Sequence, residues 1–142
     1  MKISARNQLM GIVELIQEGK VNSEIYIKLN SGYTIISVIT NNAVKNLNLQ
    51  IEDKVAAIFK SSSVLLTTDM TLNISARNKF QGIIENIYLG SVNAEVCVNV
   101  GNNDTVVSVI TSNSIKNLNI KIGNSISAII KATDIMIGKE EL

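Results

Sequence analysis

Eight side chains recur along this chain in a pattern suited to holding a small anion. Ser4, Arg6, Thr40 and Lys60 return 71 positions later as Ser75, Arg77, Thr111 and Lys131. Arginine offers a planar fork of five donors, lysine a point charge with three, and serine and threonine one hydroxyl each. Thr40 and Thr111 stand where a helix N-terminus would present unpaired amide groups. Together these groups donate hydrogen bonds and carry positive charge, and this reading finds no carboxylate recurring among them. That is chemistry for holding a small oxyanion and not for transforming one. A tetrahedral dianion such as sulfate, molybdate or tungstate fits it.

Each residue also has a plainer structural explanation. Isolated arginines and lysines are ordinarily surface charges, Ser4 suits a strand edge, and Thr40 suits a helix cap with no ligand. Asn7 and Asn78 read as residues that shape the following turn. Glu14, Glu24 and their counterparts Glu85 and Glu95 read as solvated strand faces, and no general base follows from their spacing. Gly11, Gly19, Gly82 and Gly90 make no phosphate-loop pattern. Cys97 takes the place of Tyr26 and reads as structural. The anion reading rests on the identical spacing in both halves.

The elements that must position these groups are also written twice. Ile3-Ser4-Ala5-Arg6-Asn7 returns as Ile74-Ser75-Ala76-Arg77-Asn78, Ser37-Val38-Ile39-Thr40 as Ser108-Val109-Ile110-Thr111, and Lys45-Asn46-Leu47-Asn48 as Lys116-Asn117-Leu118-Asn119, without a gap. The chain reads as a tandem duplication, residues 1–70 and 71–142, with a junction too short to be a free linker. Within each half the apolar pattern is mostly of period two, as in half-buried strands. Glu24–Leu29 alternates, Tyr33–Thr40 and Lys54–Lys60 are rich in β-branched residues, and Gly11–Ile16 and Val64–Leu66 complete five short strands. Asn41–Leu47 breaks the alternation and predicts a short helix capped by Thr40 or Asn41. The expected fold class is all-β: two tandem five-stranded OB-like Greek-key barrels, each with one short helix. A barrel of this size is marginal alone, so fusion and self-association would help stabilise it.

Composition narrows the function. The chain is 46% hydrophobic and 18% charged, which excludes disorder, and it has no apolar run long enough to span a membrane. No secretory leader is visible, so secretion is not expected. Thirteen basic and twelve acidic residues leave a formal charge of +1, against the basic excess of a nucleic-acid binder. With no histidine and one cysteine, nearly all transition-metal sites, His-based triads and internal disulfides drop out.

The block Ile-Ser-Ala-Arg-Asn-(Gln/Lys)-x-x-Gly, with Ser-Val-Ile-Thr and a closing Ile-(Phe/Ile)-Lys-(Ser/Ala)-(Ser/Thr), resembles the molbindin family of tandem Mop, or TOBE, domains, over essentially the whole chain and twice. The resemblance implies OB-like barrels and a small cytoplasmic protein that binds, stores and buffers molybdate, with tungstate accepted. It implies a homotrimer for a two-repeat member, oxyanion sites between domains or subunits, and a Ser-Ala-Arg segment and lysine drawn from different barrels. It further implies that the oxyanion is held intact through hydrogen bonds, with no directly coordinated metal; one Arg and one Lys would roughly neutralise a dianion held in that way.

Carried over by position, the oxyanion residues are Ser4, Arg6, Thr40, Lys60 and Ser61, then Ser75, Arg77, Thr111, Lys131 and Ala132. The mismatch of Ser61 with Ala132 means that this hydroxyl is not essential in both repeats. The family's second class of site suggests the turns Gly19, Lys20, Val21, Asn22 and Gly90, Ser91, Val92, Asn93. Catalysis is not expected, since no nucleophile–base pair is visible. Two other readings compete: a protein- or pterin-binding adaptor in molybdenum-cofactor metabolism, and an OB-type nucleic-acid module. The second would stack bases on aromatic side chains, of which the chain has 4%.

Overall fold

The computed structural model describes residues 1–140. Two five-stranded antiparallel sheets each curl on themselves. The strands are β1 (Asn7–Glu18), β2 (Asn22–Leu29), β3 (Thr34–Thr40), β4 (Lys54–Phe59) and β5 (Leu65–Thr67) in the first repeat. In the second they are β6 (Asn78–Leu89), β7 (Asn93–Gly101), β8 (Asp104–Thr111), β9 (Ser125–Ile130) and β10 (Met136–Gly138). Helices α1 (Asn41–Asn46) and α2 (Ser112–Leu118) follow the third strand of each repeat. Thr40 caps α1 by accepting from the Ala43 amide, and Thr111 does the same for α2 with Ser114.

The sheets do not follow the repeats. Their strand orders are β10-β4-β1-β2-β3 and β5-β9-β6-β7-β8, so each barrel takes its fifth strand from the other half. Met136 pairs with Ile58 and Leu65 with Ile129, at equivalent positions. Buried hydroxyls close both barrels across this exchange: Ser37 donates to the Ile135 carbonyl at 2.6 Å and Ser108 to the Val64 carbonyl at 2.7 Å.

β1 is longer than the expected Gly11–Ile16 because it serves two partners. Its first half pairs with β4 and its second with β2, and Gly11 lies opposite both Val55 and Leu29. A side chain there would sit 2.5 Å from the Lys28 carbonyl oxygen, which is why only glycine fits. A bulge at Glu14 then turns the strand, and its repeat counterpart lies at Glu85. Both carboxylates accept from hydroxyls across the sheet, Thr34 at 2.7 Å and Thr105 at 2.6 Å, so Glu14 and Glu85 are more than solvated strand faces.

The core is aliphatic. Val13, Ile25, Ile27, Ile35, Val55 and Phe59 fill one barrel, and Ile84, Val96, Val98, Val106, Ile126 and Ile130 the other, all fully buried. Burial is worth about 1.5–3 kcal/mol for each side chain of this size. β4 and β9 are buried along nearly their whole length, which explains why they read as apolar runs without alternation.

Asn7 and Asn78 do not shape turns. Both are buried, and each side-chain amide pairs with a backbone unit of the opposite repeat: Asn7 with Val107 and Asn78 with Ile36. The amide supplies one donor and one acceptor, as a further strand residue would. The residue after each site arginine is thus a pin between the repeats.

Candidate functional site

Ladder register brings the repeated donors together. Asn7 lies opposite Phe59, the last residue of β4, so the Ser4–Arg6 segment before one and Lys60-Ser61 after the other leave the sheet side by side. In the second repeat Asn78 lies opposite Ile130, and Ser75–Arg77 leaves beside Lys131-Ala132. Beyond each lysine the chain makes one 3-10 turn, Ser61–Ser63 or Ala132–Asp134, with no side chain capping its first amides.

A cavity of about 280 Å³ results, lined by Ser4, Arg6, Lys60, Ser61 and Ser62, with Met136 of the exchanged strand on one wall. Its counterpart, about 320 Å³, is lined by Ser75, Arg77, Lys131, Ala132 and Thr133, with Leu65 in the place of Met136. The resemblance drew the Ser-Ala-Arg segment and the lysine of a site from different barrels; a single chain brings the two together without a partner. Within the chain both belong to one repeat and one sheet, because the Asn7–Phe59 and Asn78–Ile130 pairings put them there. The other repeat supplies one wall.

It also supplies a carboxylate. Arg6 Nη2 lies 2.9 Å from Glu95 Oε1 on β7, and Arg77 Nη1 pairs in the same way with Glu24 on β2. Glu24 itself lines the second cavity. Glu24 and Glu95 are therefore not free strand-face charges: each pairs with the arginine of the opposite repeat, and the second cavity carries Arg, Lys and Glu24 in its lining. Hydrogen bonding to Glu95, then its charge, holds the Arg6 guanidinium above its ordinary value. For Arg77 the hydrogen bond to Tyr26 leads and the bond to Glu24 follows. Both guanidinium groups stay charged.

The two sites differ in detail. Arg77 Nη2 also donates to Tyr26 Oη at 3.2 Å, whereas the repeat counterpart of Tyr26 is Cys97. Burial pushes the Cys97 thiol up, with the charges of Glu95 and Glu85 adding to the effect. Ser62 and Thr133 keep a hydroxyl in both cavities even though Ser61 has Ala132 as its counterpart. Glu24, Glu95, Tyr26, Ser62 and Thr133 were missed from the sequence. The signal was present for the glutamates and the hydroxyls, which recur at the same offset as the arginines.

Thr40 and Thr111 line neither cavity; their hydroxyls cap α1 and α2. The Gly19–Asn22 and Gly90–Asn93 turns are tight hairpin ends, each closed by a glycine amide donating to an asparagine carbonyl at 2.9 Å. Val21 and Val92 project from them, exposed. Asn41 and Ser112 tie these turns to the helices by donating to the Gly19 and Gly90 carbonyls. A larger cavity of about 770 Å³ has Glu85 and no cation in its lining, and does not suit an anion.

A family model described as the TOBE domain matches residues 3–66 and again 74–137. The chain is 39% identical over 137 residues to the molybdenum transport protein ModE of Azotobacter vinelandii, covering 96% of this chain and 51% of that one. It is 31% identical over 138 residues to the molybdenum-pterin-binding protein MopA of Rhodobacter capsulatus, covering 96% of this chain and 52% of that one. A probable molybdenum-pterin-binding protein of Haemophilus influenzae is 44% identical over 66 residues, 46% of this chain and 96% of that one. The chain spans about half the length of the first two relatives. Among solved structures, the cytoplasmic molybdate-binding protein ModG with molybdate bound superposes with a TM-score of 0.95 at 38% identity, covering 99% of this chain and 100% of that one.

Proposed function

The chain belongs to the TOBE-domain family, and from that premise we propose that it binds molybdate, with tungstate accepted, and serves to store and buffer it in the cytoplasm. The observation that carries this reading is the double convergence of Ser, Arg and Lys on cavities of about 280 and 320 Å³. Taking a dianion out of water is costly unless charges and hydrogen bonds replace its hydration, and charge-assisted bonds are about twice as strong as neutral ones. Each cavity offers two cations and several neutral donors, and its purpose is retention.

The proposed ligand set is Ser4, Arg6, Lys60 and Ser61 with Ser62, and Ser75, Arg77 and Lys131 with Thr133 and the backbone at Ala132. Thr40 and Thr111 then complete cavities on neighbouring copies in a homotrimer. Supporting that assembly, Met10, Ile12, Leu15, Val21, Ile83, Leu89 and Val92 are large apolar side chains left exposed on the chain. The Gly19–Asn22 and Gly90–Asn93 turns remain the proposed second class of site. Residues 1–70 and 71–142 are proposed as repeats of one folding unit, since they exchange strands. A nucleic-acid role gains no support from 4% aromatic content and a charge of +1, and among the described residues no helix is long and apolar enough to cross a membrane.

Titration calorimetry with sodium molybdate, sodium tungstate and sodium sulfate, combined with native mass spectrometry, tests the proposal. Tight binding of the first two to a trimer, with weak or no binding of sulfate, is expected. Equal heats for molybdate and sulfate, or none for either, would overturn it, and a co-purified pterin would redirect it to the adaptor reading.

A further inference from the structure

We propose that Glu24 and Glu95 are built-in competitors of the bound anion, each holding the arginine of the opposite repeat and yielding it when a dianion enters. This rests on the oxyanion reading above and specifies how that site is set. The arrangement is reciprocal: Arg6 of the first repeat is paired with Glu95 of the second, and Arg77 of the second with Glu24 of the first. Both glutamates are about 70% covered, with 29% and 28% of their side chains exposed, while the arginines are about half exposed; Glu24 lines the second cavity, and Glu95 meets the first through its contact with Arg6, which lines it. Glu95 and Glu24 occupy equivalent positions on β7 and β2, so the contact is a repeated feature of the fold.

Charge decides the consequence. Arg and Lys alone would present two positive charges, enough to neutralise a dianion. With the carboxylate in place, the empty site carries one net positive charge, and entry of a dianion leaves one net negative charge. Carboxylate and oxyanion then crowd the same guanidinium fork, and like charges a few ångströms apart repel at the reduced dielectric of a protein surface. The pairing orients the arginine in the empty protein, yet it lowers affinity below what the cations alone would give. A store that must release its ligand needs such a ceiling.

The two sites are graded by the same argument. Arg77 has both Glu24 and the Tyr26 hydroxyl to give up, and its cavity has Ala132 where the other has Ser61. Arg6 gives up Glu95 alone, beside Cys97, whose sulfur is a weak acceptor. Both differences favour the cavity containing Arg6, which fills at lower molybdate.

Equilibrium dialysis with sodium molybdate, read by elemental analysis, on the full chain and on E24Q, E95Q and the double variant tests this. Glutamine keeps the shape and removes the charge, and thermal melts establish that each variant is folded. The double variant is expected to bind about tenfold more tightly. E24Q should tighten only the weaker class of site and E95Q only the tighter one. Unchanged or weakened binding in folded single and double variants, with the parent protein binding normally, overturns the competitor role. No binding by any of the four proteins overturns the oxyanion reading instead.

Discussion

Asn7 and Val107 lie 100 residues apart in sequence and form a closed pair in the interior: the Asn7 amide donates to the Val107 carbonyl at 2.9 Å and accepts from its N–H at 2.7 Å. Asn78 and Ile36 repeat the arrangement at 2.8 and 2.7 Å. Asn7→Ala removes both partners of a buried backbone unit, and each group left unpaired costs about 1–3 kcal/mol. Urea unfolding should show a lowered midpoint for N7A and N78A alike. A midpoint within error of the parent would mean that water replaces the amide without cost. Because Asn7 and Asn78 directly follow the site arginines, the same variants should also weaken anion binding.

Much of this fold is legible in the sequence. The ungapped repeat, the period-two alternation of Ile25, Ile27 and Leu29, and the Thr40 cap each correspond to what the chain forms. The strand exchange is not legible, for a physical reason. Leu65–Thr67 and Met136–Gly138 pair with equivalent positions on β9 and β4, so pairing in the same repeat and pairing in the other use identical side-chain patterns. The pairing of Glu24 and Glu95 with the site arginines was hidden similarly. Alternation places them on the polar face of a strand, but only the packing of the two barrels aims that face at an arginine of the other repeat.

The arginines should matter for binding far more than for folding. Arg6 and Arg77 are about half exposed, and exposed ion pairs add little stability. The double variant R6A/R77A is expected to keep its thermal midpoint within a few degrees and to lose molybdate binding by at least tenfold in calorimetry. Parent-like affinity in that protein would move the site elsewhere on the chain.

Tyr26 and Ser61 separate the two sites. Tyr26→Phe removes the hydroxyl that Arg77 must give up, and should raise affinity at the weaker site a few-fold. Ser61→Ala makes the first cavity resemble the second, and should lower affinity at the tighter site by a similar factor, the scale of one neutral hydrogen bond. With both substitutions present the two classes of site should approach each other in dialysis. Isotherms with the original separation would show that neither side chain grades the sites.

Acid should loosen the exchanged strand. Lys139, just beyond β10, donates to Asp53 Oδ2 and to the Asn48 carbonyl, both at 2.9 Å, and so fastens the end of β10 to the first-repeat barrel. The Lys139 hydrogen bond, with the Gln50 amide and the lysine charge, holds the Asp53 carboxyl below its ordinary value of 3.8. A carboxyl whose folded value is depressed contributes stability that is present above the unfolded value and lost as pH falls through the folded one. Amide exchange at Ile137 and Gly138 should therefore accelerate, relative to the rest of the sheet, below about pH 4. Asp53→Asn should abolish that selective acceleration. The same acid profile in D53N would assign it to other carboxylates.

The exchange also dictates how one repeat behaves alone. After β4 the chain makes a single 3-10 turn at Ser61–Ser63 and runs directly into β5, which adds to β9 of the other barrel at Leu65–Ile129. To pair with its own β4 it would have to reverse direction beyond Ser63, and Val64, now buried with its carbonyl bonded to Ser108, would leave that position. Residues 1–70 produced separately lack the second repeat but keep every residue needed to exchange β5 with another copy, since the two repeats offer equivalent edges. Exchange of an identical element is a low-cost route to a dimer. Sedimentation equilibrium should accordingly find this fragment as a dimer, or a multiple of one, that unfolds on dilution. A stable folded monomer would show that β5 closes its own barrel readily, and that the exchange in the full chain follows from covalent linkage and not from the path of the chain after β4.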